Sequence, residues 1–167
     1  WQWHQDYGTW ARDDGMPEAR AMNIAVFLDE VMPINGPLLL IPGSHKQGVF
    51  DAGHDKLTTS YPLWTLDKET VTKLCADAEA NTGQGIVAPT GKPGSVLMFH
   101  GNLVHASPPN ITPYPRKIVY VTFCACSNHI TRFKREEWIA HRDFTPIQAV
   151  SDDALLEYGR AHRVAAE

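Results

Sequence analysis

Short apolar runs, each stopped by glycine or proline within a few residues, leave this chain little choice but a layered β architecture. Residues 21–28 (AMNIAVFL), 38–41 (LLLI), 95–99 (SVLMF) and 117–125 (KIVYVTFCA) are the clearest runs. They are rich in residues that suit a pleated surface and too short for a core helix. Between them stand turn formers: Asp14-Gly15, Pro33 to Pro37 with Asn35-Gly36 suited to a tight hairpin, Pro42-Gly43 and Thr90 to Gly94. Residues 2–10 read as an aromatic strand running into a loop, and residues 85–88 and 103–106 as further short strands. The total is six or seven strands. Residues 46–66 form a long polar stretch, a length often used for lids. Val71, Leu74, Cys75 and Ala78 recur at helical spacing and predict a helix over 67–80, with Asp67 or Glu69 at its positive end. Helices are also expected over 135–141 and over 152–162, the latter capped by Ser151. Strands in series with helices at the edges predict a mainly β fold, a sandwich or jelly roll, rather than an alternating α/β one.

The chain of 167 residues suits a single domain, 1–167, with a real core. Its 43% apolar and 20% charged residues are ordinary for a globular protein. A net charge of −4 without a basic stripe argues against nucleic acid as a partner. No apolar run approaches the roughly 20 residues that span a bilayer, so no membrane partner is expected. Cys75, Cys124 and Cys126 are too few for a disulfide framework, and read as buried thiols in a reducing cytoplasm. Nothing in the sequence bears on oligomeric state. Candidate chemistry begins at position 4, and a domain seldom opens inside its own site because termini fray. Further residues are therefore expected ahead of Trp1.

That chemistry starts with His4-Gln5-Asp6. On a strand, residues two apart share a face, so an imidazole and a carboxylate would project side by side. Alone the pattern is weak. His105, beyond the core run at 95–99, is the best candidate for a third ligand. Two histidines and one carboxylate on one face of an octahedron leave three positions open, the arrangement of non-haem iron(II) oxygenases. Zinc would favour a tetrahedral set richer in nitrogen or sulfur. Arg116 lies eleven residues after His105. Its guanidinium can grip a carboxylate with two parallel hydrogen bonds, and Ser107 could add a hydroxyl. Singly, Arg116 would pass for a surface charge; together the residues form one chemical set. Trp10 reads equally well as a pocket wall or a core aromatic. Asp13 and Asp14 read as turn residues and His45 as a structural one.

The set resembles the phytanoyl-CoA dioxygenase family of iron(II)- and 2-oxoglutarate-dependent oxygenases, nearest the branch of ectoine hydroxylases and free amino-acid hydroxylases. The matching stretches are Trp3 to Tyr7, Trp10, Asp14 to Pro17, Arg20-Ala21, Asn35 to Leu38, Ile41 to Lys46, Thr90 to Lys92, Gly94 to Val96, and His105 through Pro115-Arg116. The resemblance implies a double-stranded β-helix, the cupin-like jelly roll, preceded in family members by N-terminal helices and an opening strand. It implies iron(II) on His4, Asp6 and His105, with 2-oxoglutarate held by Arg116 and Ser107 beside Trp1, and dioxygen as co-reactant. It also implies hydroxylation of a small molecule such as ectoine or L-proline. Related halogenases carry a small residue in place of the carboxylate, so Asp6 favours hydroxylation. Tyr120 stands near where ectoine hydroxylases place a phenylalanine against substrate, a departure from the pattern. Three other readings are weighed beside it: a hydroxylase of a larger natural product or acyl thioester, a non-catalytic jelly-roll binding module, and a cupin-type zinc or manganese isomerase. The intact ligand set speaks against the second, and the partner arginine against the third.

Overall fold

Two small antiparallel sheets face one another in the computed structural model, which describes residues 1–162 apart from Thr59. The strands are β1 (Ala21–Phe27), β2 (Leu39–Leu40), β3 (Gly53–Asp55), β4 (Leu63–Thr65), β5 (Val96–His100), β6 (His105–Ala106) and β7 (Ile118–Cys124). The helices are α1 (Asp6–Thr9), α2 (Lys68–Thr82) and α3 (Ala154–Ala161). The first sheet runs β5–β1–β7, with Asn23 opposite Phe99 on one side and Thr122 on the other. Ala21, Asn23, Ala25 and Phe27 point inward and are buried, while Met22 on the other face is exposed. The second sheet is built around a single residue. His4 bridges Thr65 of β4 and His105 of β6; β6 pairs with β2, and Leu40 of β2 with Val87. Leu38 and Leu40 share a core cluster with Phe99 and Leu103, which joins the two sheets.

Helix α2 forms where the spacing predicts. Asp67 caps it by accepting from the Thr70 amide at 2.7 Å, and Gly83 ends it with φ 76°. Leu74 and Ala78 pack it against Ile41, Leu66 and Val104 behind the second sheet.

Several expectations are corrected. Residues 2–10 are not a strand: past the His4 bridge the chain turns into α1 and then a π-helical turn, Trp10–Asp14, closed by Gly15 at φ 67°. The bonds of Arg12 Nη1 to the Gly8 carbonyl (3.0 Å) and of the Met16 amide to the Trp10 carbonyl (3.1 Å) hold this stretch against its β propensity. The stretch 46–66 is not one long loop, because it contains the β3–β4 hairpin. Asn35-Gly36 turns the chain between two sheets and joins no hairpin; the buried Asn35 side chain binds the Met32 amide and the Glu30 carbonyl. Residues 135–141 make only a turn, since Arg142 takes the Arg135 carbonyl that a helix would need. Ser151 does not cap α3 with its side chain, and Asp153 stands at the cap position. Cys124 and Cys126 are exposed, one closing the edge strand β7 and the other opening a 3₁₀ turn; Cys75 is half-buried. No described helix is long and apolar enough to cross a membrane.

Candidate metal and keto-acid site

The sheet ladder itself brings the two histidines together. His4 and His105 exchange both backbone hydrogen bonds, each 3.0 Å. They are thus directly opposite each other, and their side chains leave the same face. Their ring centroids lie 4.2 Å apart. Two residues on, α1 begins, and its first residue swings a carboxylate back under both rings. His4 Nε2 is 3.4 Å from Asp6 Oδ1, and His105 Nε2 is 3.7 Å from Asp6 Oδ2. The three side chains each offer an atom within 4.8 Å of the others. Gln5, between them, is 2% exposed; its amide reaches Gly48 and Asn102, and its oxygen accepts from the Phe50 amide. That anchorage fixes the segment carrying both ligands.

Protonation favours a cation at this point. His4 Nδ1 lies 2.6 Å from the Gln2 carbonyl and His105 Nδ1 2.9 Å from the Leu103 carbonyl. A carbonyl only accepts, so each ring keeps a proton on Nδ1 and turns its Nε2 toward the carboxylate. Burial pushes His105 down to about 4, helped by the neighbouring His4 ring and opposed by Asp6. Burial would raise Asp6, but the His105 and His4 imidazoles and the Asn23 amide outweigh it and hold the carboxyl at about 2. At neutral pH His105 presents a lone pair beside the Asp6 anion, and the His4 Nε2 is turned to the same point. That donor set fits a divalent metal with open positions.

Beside the cluster is a cavity of about 320 Å³. It is lined by all eight side chains singled out from sequence: His4, Asp6, His105, Arg116, Ser107, Trp1, Trp10 and Tyr120. Arg116 enters just before β7, and its Nε is buried with no hydrogen-bond partner among the described residues. A buried guanidinium nitrogen left unpaired is costly, and it fits an anionic ligand that would satisfy it. Ser107 is buried, and its amide donates to the Trp1 carbonyl at 3.1 Å. Burial raises the Tyr120 phenol, with Arg116 opposing and Asp6 adding to the shift, so it stays protonated. Trp10 packs toward Met16, Ala21 and Ile130 while its ring borders the cavity.

Sequence reasoning did not single out Tyr61, Phe99, Leu38, Thr122 or Asn23. The first four line the cavity, and Asn23 donates to Asp6. Tyr61, between β3 and β4, sets its ring edge-on to Trp1 at 5.1 Å. The detectable signal was Asn23 itself, an amide in the middle of an apolar strand. His45 lies outside this group, its ring 5.5 Å from that of His100.

The family model described as phytanoyl-CoA dioxygenase (PhyH) matches residues 1–118. The chain belongs to the phytanoyl-CoA dioxygenase family. Among curated relatives, an ectoine dioxygenase of Sphingopyxis alaskensis is 42% identical over 132 residues, which are 78% of this chain and 42% of that protein. The L-proline trans-4-hydroxylase of Streptomyces griseoviridis is 32% identical over 165 residues, 93% of this chain and 59% of the relative. The crystal structure of EctD from S. alaskensis with bound Fe matches with a TM-score of 0.71 and 36% identity, over 90% of this chain and 49% of that one. The same enzyme with 2-oxoglutarate and 5-hydroxyectoine matches at 0.66 and 38%, over 84% and 45%. The chain thus spans about half the length of these relatives.

Proposed function

We propose that residues 1–167 form the core of an iron(II)- and 2-oxoglutarate-dependent dioxygenase that hydroxylates a small amino acid or cyclic amino-acid derivative, of the kind represented by L-proline and ectoine. The observation that carries it is the pairing of the His4–Asp6–His105 cluster with an Arg116 Nε that has no hydrogen-bond partner among the described residues, at the same cavity. His4, Asp6 and His105 would hold iron(II), and Arg116 with Ser107 the far carboxylate of 2-oxoglutarate. Iron(II) held there would supply oxygen activation: dioxygen and 2-oxoglutarate would give succinate and carbon dioxide, with the second oxygen atom entering a substrate C–H bond. The protein's own part is positional. The β6 pairing aims both imidazoles, Trp1 and Tyr61 screen the cavity from water, and Trp10 and Tyr120 face the substrate. The named relatives, an ectoine dioxygenase and a proline hydroxylase, support this substrate class.

A double-stranded β-helix is the fold reading that agrees with two facing sheets and a site between them. A hydroxylase of a bulky natural product or acyl thioester is the second reading. The cavity of about 320 Å³ lies at the small end of ligand pockets and favours the first. The test is succinate release by the full chain with iron(II) and 2-oxoglutarate, screened over L-proline, ectoine and larger acyl substrates. Stimulation by an amino acid, lost in His105→Ala, is expected. Stimulation by the larger substrates alone would overturn the substrate assignment, and stimulation that survives His105→Ala would overturn the site.

A further inference from the structure

Beneath the Asp6 carboxylate runs a hydrogen-bond chain whose direction is fixed by chemistry. Asn23, on the inward face of β1, is 3% exposed, and its Nδ2 donates to Asp6 Oδ2 at 2.7 Å. Opposite it on β7, the Thr122 hydroxyl lies 2.7 Å from Asn23 Oδ1. An ionised carboxylate only accepts, so the amide must turn its nitrogen to Asp6 and its oxygen to Thr122. That oxygen also only accepts, so the Thr122 proton is committed to Asn23. Thr122 lines the cavity, and what remains of its hydroxyl on that side is lone pairs. Tyr120 on the same strand and Arg116 just before it differ in kind: Tyr120 keeps its phenolic proton and Arg116 is a pure donor.

We propose that Asn23 is a positioning residue that locks Asp6 for the metal and makes Thr122 a hydrogen-bond acceptor selecting substrates with an N–H donor beside the metal. This deepens, and rests on, the proposed hydroxylation of a free amino acid. Zwitterionic and cyclic amines carry such a donor, and an acyl chain does not. A site built to bind a donor rejects analogues without one more strongly than apolar walls can.

The test uses Co(II) as metal probe on the full chain, without dioxygen, read by its visible absorption. Asn23→Leu should bind Co(II) about 10- to 100-fold more weakly, as loss of a partner behind a metal ligand does. Thr122→Val should bind Co(II) nearly as wild type does. With Co(II) and 2-oxoglutarate present, it should bind L-proline and ectoine about 10- to 100-fold more weakly, while Thr122→Ser restores binding. Wild-type Co(II) affinity in Asn23→Leu would overturn the positioning role. Wild-type amine affinity in Thr122→Val, which sits at the cavity surface and leaves the core intact, would overturn the acceptor role. A wild-type protein indifferent to both amines contradicts the proposed substrate class, and the Co(II) titration still decides Asn23.

Discussion

At the scale of single residues, the site works by leaving a few groups incompletely satisfied. Among the described residues Arg116 Nε is buried without a hydrogen-bond partner, and the Nε2 atoms of His4 and His105 face a carboxylate. Such groups raise the free energy of the empty site and lower it again when a ligand of the right charge binds. Arg116→Ala should therefore raise the KM for 2-oxoglutarate by roughly 10- to 100-fold while leaving metal affinity unchanged, since charge-assisted bonds are lost only to the keto acid. Steady-state kinetics beside a metal titration checks this; an unchanged KM contradicts it. The eight residues picked out by sequence all border the cavity; their chemistry is explicit in their side chains, and the two sheets, α1 and the π turn each contribute some of them. Asn23 and Thr122 were legible only as polar residues inside apolar strands. Tyr61 was not legible, because nothing in a polar stretch marks which aromatic turns inward.

At the scale of elements, the π turn at Trp10–Asp14 matters most. It carries Trp10 on one side and Asp14, 1% exposed, on the other. Asp14 is held by Arg135 Nε at 2.9 Å, and its carbonyl takes the amides of Thr131 and Arg132 at 2.9 and 2.8 Å. The segment after β7 is thereby latched onto the turn beside the site. Arg135→Ala leaves a carboxylate buried and unpaired, so urea unfolding should show a loss of about 3–5 kcal/mol. A loss below about 1 kcal/mol would mean that Asp14 is easily re-solvated. Gly101 offers a second handle. A Cβ there would lie 2.8 Å from the Trp10 ring and 3.3 Å from the Ala21 carbonyl. Gly101→Ala should therefore displace Trp10, raising substrate KM with less effect on 2-oxoglutarate, measurable by paired kinetics and tryptophan fluorescence. Helix α2 and strands β1, β5 and β7 could be read from periodicity and composition. The turn at 6–14 could not, since its aromatic residues favour strand, and its local bonds are joined by contacts with residues distant in sequence, Tyr7 to Gly101 and Arg12 to Phe50 among them. The runs in β1, β5 and β7 also misled in one respect. Being apolar on both faces, they give no sign of which face lies outward, yet Met22, Val96, Met98, Val119 and Val121 on one face are exposed.

At the scale of the molecule, the site's electrostatics couple to stability. His105 is held neutral, with its pKa down at about 4 against an ordinary value near 6.5, and Asp6 is held ionised at about 2. Between pH 6.5 and 4 the unfolded chain binds a proton at His105 that the folded chain refuses, so metal-free stability falls as pH falls through that window. The effect is of the order of 3 kcal/mol from His105. Asp6 adds a further loss in the same direction below its unfolded value, 3.8, and down to about 2. Chemical denaturation from pH 7 to 4 should show the slope in wild type and a flatter profile in His105→Phe. The most direct test of the whole account is the stoichiometry of iron(II) binding by anaerobic calorimetry on wild type and on His4→Ala, Asp6→Ala and His105→Ala. One ion per wild-type chain, and loss of tight binding in each variant, is the expected result. Tight binding that persists when either histidine is removed would show that the two imidazoles and the carboxylate do not share a metal.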